Sequence, residues 1–147
     1  MDSNFIKLKN EVFDILNNNK HIVLATSFEN NVTARTISYI MLKDELYFQT
    51  LSTYEKALQI KNNSNIALYL DNLQMTGTAQ ILNHPSENKE FLQKYKKTHY
   101  NAYNKYSMLE NEVVIKVKFN KASLWKYENN SGNKIVIDLV KKEYWNE

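Results

Sequence analysis

Arg35, Thr50 and Lys56 are the side chains whose types and spacing best suit chemistry, and that chemistry is the holding of an anion. A guanidinium offers a planar fork of donors, a hydroxyl one donor, and an ammonium a compact positive charge. The stretch that carries them runs from Ala34 to Lys56. Its first part alternates, with Arg35, Ile37, Tyr39 and Met41 on one face of a strand and Thr36, Ser38, Ile40 and Leu42 on the other. Lys43-Asp44 makes a turn, and Leu46-Tyr47-Phe48 is a short apolar strand ending near Thr50. Ser52-Thr53-Tyr54-Glu55 has the form of a capping box, which predicts Ser52 at a helix N-cap, Glu55 at the third position and Lys56 in the first turn. Free backbone N–H groups and the positive end of the helix dipole would then join the three side chains. Phosphate is the anion that suits such a corner.

Composition narrows the alternatives. The 147 residues suit one domain with one core, residues 1–147. Hydrophobic residues make up 43%, enough for a globular fold, and no run approaches the ~20 apolar residues of a membrane span. The first residues, MDSNFIKLKNE, contain no apolar segment of the signal-peptide kind, so a cytoplasmic location is expected. Without cysteine there is no disulfide, no thiolate catalysis and no zinc-thiolate site. A formal charge of +3 is mild and makes nucleic acid an unlikely partner. With two glycines there is no glycine-rich phosphate loop. His21, His84 and His99 are scattered without metal-ligand spacing, so none is assigned to a metal or to catalysis.

The rest of the chain must position the corner. Residues 3 to 19 read as an amphipathic helix with Ser3 as its cap and Phe5, Leu8, Val12, Ile15 and Leu16 on its apolar stripe. His21 to Phe28 and Val32 to Leu42 form a hairpin about Glu29-Asn30-Asn31. Residues 54 to 63 form a short helix with Ala57, Leu58 and Ile60 turned inward. Strands follow at 65–70 and 74–82, with a bulge or close approach at Gly77. Pro85 opens a second long helix at its first position, and the tyrosine-rich residues 98–110 read as a loop with one helical turn. Strands at 112–119, 122–127 and 134–139 complete the chain. The sum is an α+β, mainly β, antiparallel fold of six to seven strands curled toward a barrel, with two to three flanking helices.

Arg35-Thr36-Ile37-Ser38, Leu46 to Thr50, Lys56 to Ile60, Ile66 to Leu70 and Gln74 to Ala79, in that order, resemble the pyridoxamine 5′-phosphate oxidase-like family of flavin-binding split β-barrels. The resemblance covers roughly residues 5 to 128. It takes in the general-stress and nitroimidazole-resistance types. It implies a split barrel paired as a homodimer, with flavin mononucleotide (FMN) at the subunit interface and a small-molecule substrate. It places the cofactor phosphate near Arg35, Thr50 and Lys56, the backbone of Thr36, Ile37 and Ser38 along the ring, and Gln49 close by. It brings Gln74 from the facing subunit and Trp125 near the flavin. Taken singly, each of these has a plainer role: a ladder residue, a turn residue, a solvated helix charge or a core aromatic.

Two departures qualify the resemblance. Many relatives carry Arg where this chain has Glu55, and a carboxylate beside a phosphate is repulsive. The Arg-x-His signature of true pyridoxamine phosphate oxidases is missing, since residues 120–147 contain neither Arg nor His. The expected function is therefore an FMN-dependent oxidoreductase without that activity. The alternatives are a non-catalytic flavin- or haem-binding dimeric module and an interaction protein using the basic helix and the tyrosines.

Overall fold

Period-two alternation becomes antiparallel sheet almost wherever the chain carries it. The computed structural model describes residues 2–147, with the backbone alone at Glu128. Its strands are β1 His21–Phe28, β2 Asn31–Ser38, β3 Ile40–Leu42, β4 Glu45–Leu51, β5 Asn65–Leu70, β6 Leu73–Ile81, β7 Glu112–Glu128, β8 Ser131–Asp138 and β9 Glu143–Asn146. Their hydrogen-bonded order is β2-β1-β5-β6-β7-β4-β3, with β8 added to β7 and β9 to β8. The two ends of that order, β2 and β3, are separated in sequence by Tyr39 alone. The sheet therefore curls back on itself yet stays open, because β2 pairs only with β1 and β3 only with β4 among the described residues. This is the expected split antiparallel barrel.

The strand count is nine because Tyr39 breaks the long return strand in two and because the C-terminal residues pair as β9. Residues 112–128 are one continuous strand, which pairs with β4 at its start, with β8 at its end and with β6 between. Tight turns use Asn and its neighbours in place of glycine. Glu29 and Asn30, and again Asn129 and Asn130, sit at consecutive positive φ angles, as a type I′ hairpin requires. The predicted irregularity at Gly77 is a register shift between β6 and β7, where a Cβ would lie 2.2 Å from the Lys118 carbonyl oxygen.

Four α-helices flank the sheet: α1 Ser3–Asn17, α2 Glu55–Asn62, α3 Lys89–Thr98 and α4 Tyr100–Tyr106. Asp2, rather than Ser3, caps α1, accepting from the Asn4 N–H at 2.8 Å. Phe5, Val12, Phe13 and Leu16 of α1 join Leu24, Phe48, Leu68, Met75 and Ile115 in the main core. Pro85 opens a short 3-10 turn, Pro85–Glu87, and α3 begins only at Lys89. The tyrosine-rich segment is the helix α4 rather than a loop. Tyr103 packs on a second cluster formed by Ile40, Phe91, Tyr95 and Val114, which supplies the burial a seven-residue helix needs. Among the described residues, no helix is long and apolar enough to cross a membrane.

Candidate functional site

The corner predicted between β4 and α2 forms, but not by the predicted cap. Residues 51–54 turn first, with the Tyr54 N–H donating to the Leu51 carbonyl at 3.1 Å, and α2 starts at Glu55. Ser52 is held by its own N–H, which donates to the Asn111 carbonyl at 2.8 Å. Tyr54 takes the N-cap and its side chain caps nothing. The N–H groups of Glu55, Lys56 and Ala57 consequently have no acceptor among the described residues. Three free donors at a helix N-terminus are the backbone half of an anion site.

Alternation decides which side chains face that end of the barrel. Arg35 pairs with Leu24 on β1, so it points to the inner face along with Thr33 and Ile37. Thr50 follows Leu46 and Phe48 on the inner face of β4. The Thr50 hydroxyl is buried and has no hydrogen-bond partner among the described residues. A buried hydroxyl left unpaired costs about 1–3 kcal/mol, so its retention suggests a role for a ligand.

Arg35 is the chain's one arginine, and it is firmly held. Its Nη1 donates to Thr26 Oγ1 at 2.7 Å and to the Leu24 carbonyl at 3.4 Å, and its Nη2 donates to Thr33 Oγ1. Both threonine hydroxyls donate onward to Gln59 Oε1, and Gln59 Nε2 donates to the Asn31 carbonyl at 3.0 Å. Buried Gln59, on the inner side of α2, thus ties the helix to the β1–β2 hairpin. The side chain predicted to turn inward beside Ala57 and Ile60 was Leu58, which is instead 49% exposed. The sequence signal for Gln59 was present: Thr26, Thr33 and Arg35 occupy inward strand positions and need a polar partner there.

The charges are unevenly balanced. Glu55 Oε1 approaches Arg35 Nη2 only to 4.0 Å, and its side chain is mostly exposed. Lys56 is half-buried, with its ammonium 5.1 Å from the Tyr54 ring centre and no carboxylate within 4 Å among the described residues. Burial lowers the pKa of Lys56, and repulsion from Arg35 lowers it further, while Glu112 opposes both. Burial also lowers the pKa of Arg35, against the pull of Glu55. Two poorly hydrated cations that repel one another and three open N–H groups gather at the first turn of α2, a region that an anion would stabilise, and the unpaired Thr50 hydroxyl lies near the end of the strand that leads into it. The donor set fits a phosphate: a fork, an ammonium, a hydroxyl and a helix end.

Other predicted residues lie elsewhere. Gln49 points outward from β4, beneath α4. Its Nε2 donates to Glu112 at 2.8 Å and its Oε1 accepts from Ser107 Oγ at 2.8 Å, so its amide is fully engaged away from Arg35. Thr36 and Ser38 face outward on β2, and Ile37 is buried in the core. Since β2 ends the hydrogen-bonded order, its unpaired edge still offers backbone groups there. Gln74 is exposed on the outer face of β6, opposite Ser123 of β7, and Trp125 is 44% exposed on the same outer face. Neither side chain reaches the corner within one protomer. A concavity of about 940 Å³ runs along α1 between Lys7, Glu11, Asp14, Lys126 and Tyr144, and its buried Glu11 Oε2, unlike the Thr50 hydroxyl, already has a counter-charge in Lys126 Nζ at 2.8 Å.

Comparisons with known proteins bear on the family and the fold. The family described as pyridoxamine 5′-phosphate oxidase matches residues 8–126. No curated protein matches the chain. Among solved structures, general stress protein 26 of Bacillus anthracis is 20% identical, with 78% of this chain and 91% of that chain covered and a TM-score of 0.62. A pyridoxamine 5′-phosphate oxidase-related, FMN-binding protein of Nostoc punctiforme is 15% identical over 99% of this chain and 95% of its own, with a TM-score of 0.64. The heme storage protein HutZ of Vibrio cholerae is 12% identical over 76% of this chain and 89% of its own, with a TM-score of 0.65. At these identities the likeness shows the fold.

Proposed function

Because the chain belongs to the pyridoxamine 5′-phosphate oxidase family, we propose that it binds FMN and serves as a flavin-dependent oxidoreductase for a small molecule, without the activity that names the family. The observation that carries this reading is the unpaired, buried Thr50 hydroxyl beside the uncapped start of α2. Arg35, Lys56 and Thr50 would hold the phosphate, with the open N–H groups of α2. The free edge of β2 from Thr36 to Ser38 would lie along the ring. Gln74 and Trp125 stand on the outer face, where a second copy could bring them to its neighbour's flavin; a cytoplasmic homodimer is part of the reading. Bound FMN would supply the redox chemistry. The chain's own part is to neutralise the phosphate, orient the ring and exclude water.

The test is a fluorescence titration of the purified protein with FMN and, in parallel, with riboflavin, which lacks the phosphate. FMN should bind at least tenfold tighter, the worth of about 1.4 kcal/mol of phosphate contacts. Equal affinity, or none, would overturn the reading. A second reading, a non-catalytic module for flavin or haem, draws on one observation: Arg35 already serves three protein acceptors and faces Glu55. Haem uptake with a Soret band and no response to FMN would favour it.

A further inference from the structure

Glu112 takes no part in the phosphate corner proposed above, yet it is the most unusual carboxyl among the described residues. It opens β7, is 4% exposed and forms no ion pair within 4 Å among the described residues. Its carboxylate accepts from a neutral donor, Gln49 Nε2, at 2.8 Å. Ser107 Oγ donates to the other end of that amide, which fixes the Gln49 donor toward the carboxyl. Register places the carboxyl: Glu112 pairs with Leu51 at the end of β4, and the Ser52 N–H donates to the Asn111 carbonyl, so Glu112 stands beside the turn that leads into α2. The charges of Lys56 on α2 and of His84 after β6 favour its ionised form, and its own charge acts on Lys56, which Arg35 of β2 repels, and on Tyr95 of α3. Glu112 is thus the buried carboxyl whose charge reaches Lys56, from the side of the β4–β7 wall opposite Thr50.

We propose that Glu112 is the proton-linked counter-charge of Lys56, so that a phosphate-ended ligand binds at this corner with uptake of a proton by Glu112. The inference deepens the FMN reading and rests on it. Without ligand, the carboxylate offsets the Lys56 ammonium. When a dianion arrives, Lys56 is neutralised from its other side and Glu112 acquires a repelling neighbour in a poorly hydrated place. Protonation removes that repulsion, and Gln49 continues to contact the acid. Burial already pushes the Glu112 pKa up to about 7, against the Gln49 hydrogen bond and the attraction of Lys56 and His84, so the added proton is accessible near neutrality. Linkage is reciprocal: if ligand raises the carboxyl's proton affinity, protons raise the protein's ligand affinity.

The experiment is calorimetric titration with FMN in two buffers of different ionisation enthalpy, which counts protons, repeated from about pH 7 to about pH 9, where the phosphate is already dianionic. Wild type should take up a substantial fraction of one proton, and its FMN affinity should fall by at least about tenfold across that range. Glu112→Gln should show a nearly flat profile and lose most of the uptake; any slope that remains belongs to Lys56. Riboflavin should show no uptake with either protein. Wild type binding FMN without proton uptake would overturn the proposal and leave the FMN reading standing, and that result needs no variant. The same uptake and slope in Glu112→Gln would also overturn it. Failure of FMN to bind either protein would overturn both.

Discussion

Helices α1 and α2 both pack on the barrel, yet they are built on opposite principles. α1 gives the core Phe5, Val12, Phe13 and Leu16, and its side-chain cap is satisfied by Asp2. α2 gives it Ala57 and Ile60 and places the polar Gln59 between them, while its first turn has no side-chain cap. The first helix is complete as it stands. The second leaves donors open beside two cations and an unpaired hydroxyl. The contrast separates a surface made for stability from one made for a ligand: in the first, substitution should cost folding; in the second, it should cost binding and can even improve folding.

Removing core volume should break the α1 side of this contrast most severely. Leu16 is fully buried, so Leu16→Ala should destabilise the fold by about 2–5 kcal/mol. The denaturation midpoint would fall with an unchanged m-value, and FMN affinity in the surviving folded protein should stay within about twofold. A comparable loss of affinity would mean that α1 shapes the site and that the two helices do not divide the work.

The next effect is the pH dependence contributed by Glu112. Its folded pKa, about 7, lies above that of an ordinary carboxyl because of burial. The folded state therefore binds a proton more tightly than the unfolded chain. The stability this confers is complete below the ordinary carboxylate range and is lost as pH rises through about 7. Glu112→Gln should remove roughly 3 kcal/mol of that slope relative to wild type, the worth of the pKa difference. Parallel stability profiles for the two proteins would show that the carboxyl titrates normally and is not buried as described.

Much of this architecture was legible in the sequence. Inward alternation along Ile22-Leu24 and Leu46-Phe48, the Asn-rich turns and the irregularity at Gly77 all follow from local chemistry and appear in the fold. The corner at Thr50 and Lys56 was legible as well, because a strand end followed by an acidic first turn announces a helix start. Its cap was not. Ser52 could cap only if the helix began at once, and the turn closed by Tyr54 and Leu51 delays it to Glu55. Gln59 and Glu112 escaped for a related reason, since each reads as a polar residue on a solvent face. Gln59 is buried because inward Thr26 and Thr33 need an acceptor, and Glu112 because α3 and α4 cover the outer side of β4 and β7. Both depend on contacts between residues far apart in sequence, which periodicity does not report.

Gln59 tests whether the polar helix also holds the hairpin. Gln59→Leu keeps the volume but leaves the Thr26 and Thr33 hydroxyls without their acceptor, and should cost about 1–3 kcal/mol of stability. Arg35 would lose the arrangement that orients it, so preference for FMN over riboflavin should fall as well. An unchanged melting temperature would show that the Gln59 contacts are incidental to the fold.

The smallest effect sharpens the contrast furthest, because its two readouts should move in opposite directions. Thr50→Val removes the unpaired hydroxyl and keeps the shape of the side chain. With no partner lost in the ligand-free protein, the variant should be more stable by about 1 kcal/mol, the relief of an unsatisfied buried group. Its affinity for FMN should fall about five- to tenfold, the loss of one hydrogen bond of about 1 kcal/mol net, while riboflavin binding stays the same. An ordinary structural threonine would behave differently: its loss would lower stability and leave the FMN preference untouched. Measuring melting temperature and both affinities on one preparation separates the cases, since only a hydroxyl held open for a phosphate gives a gain in folding together with a phosphate-specific loss in binding.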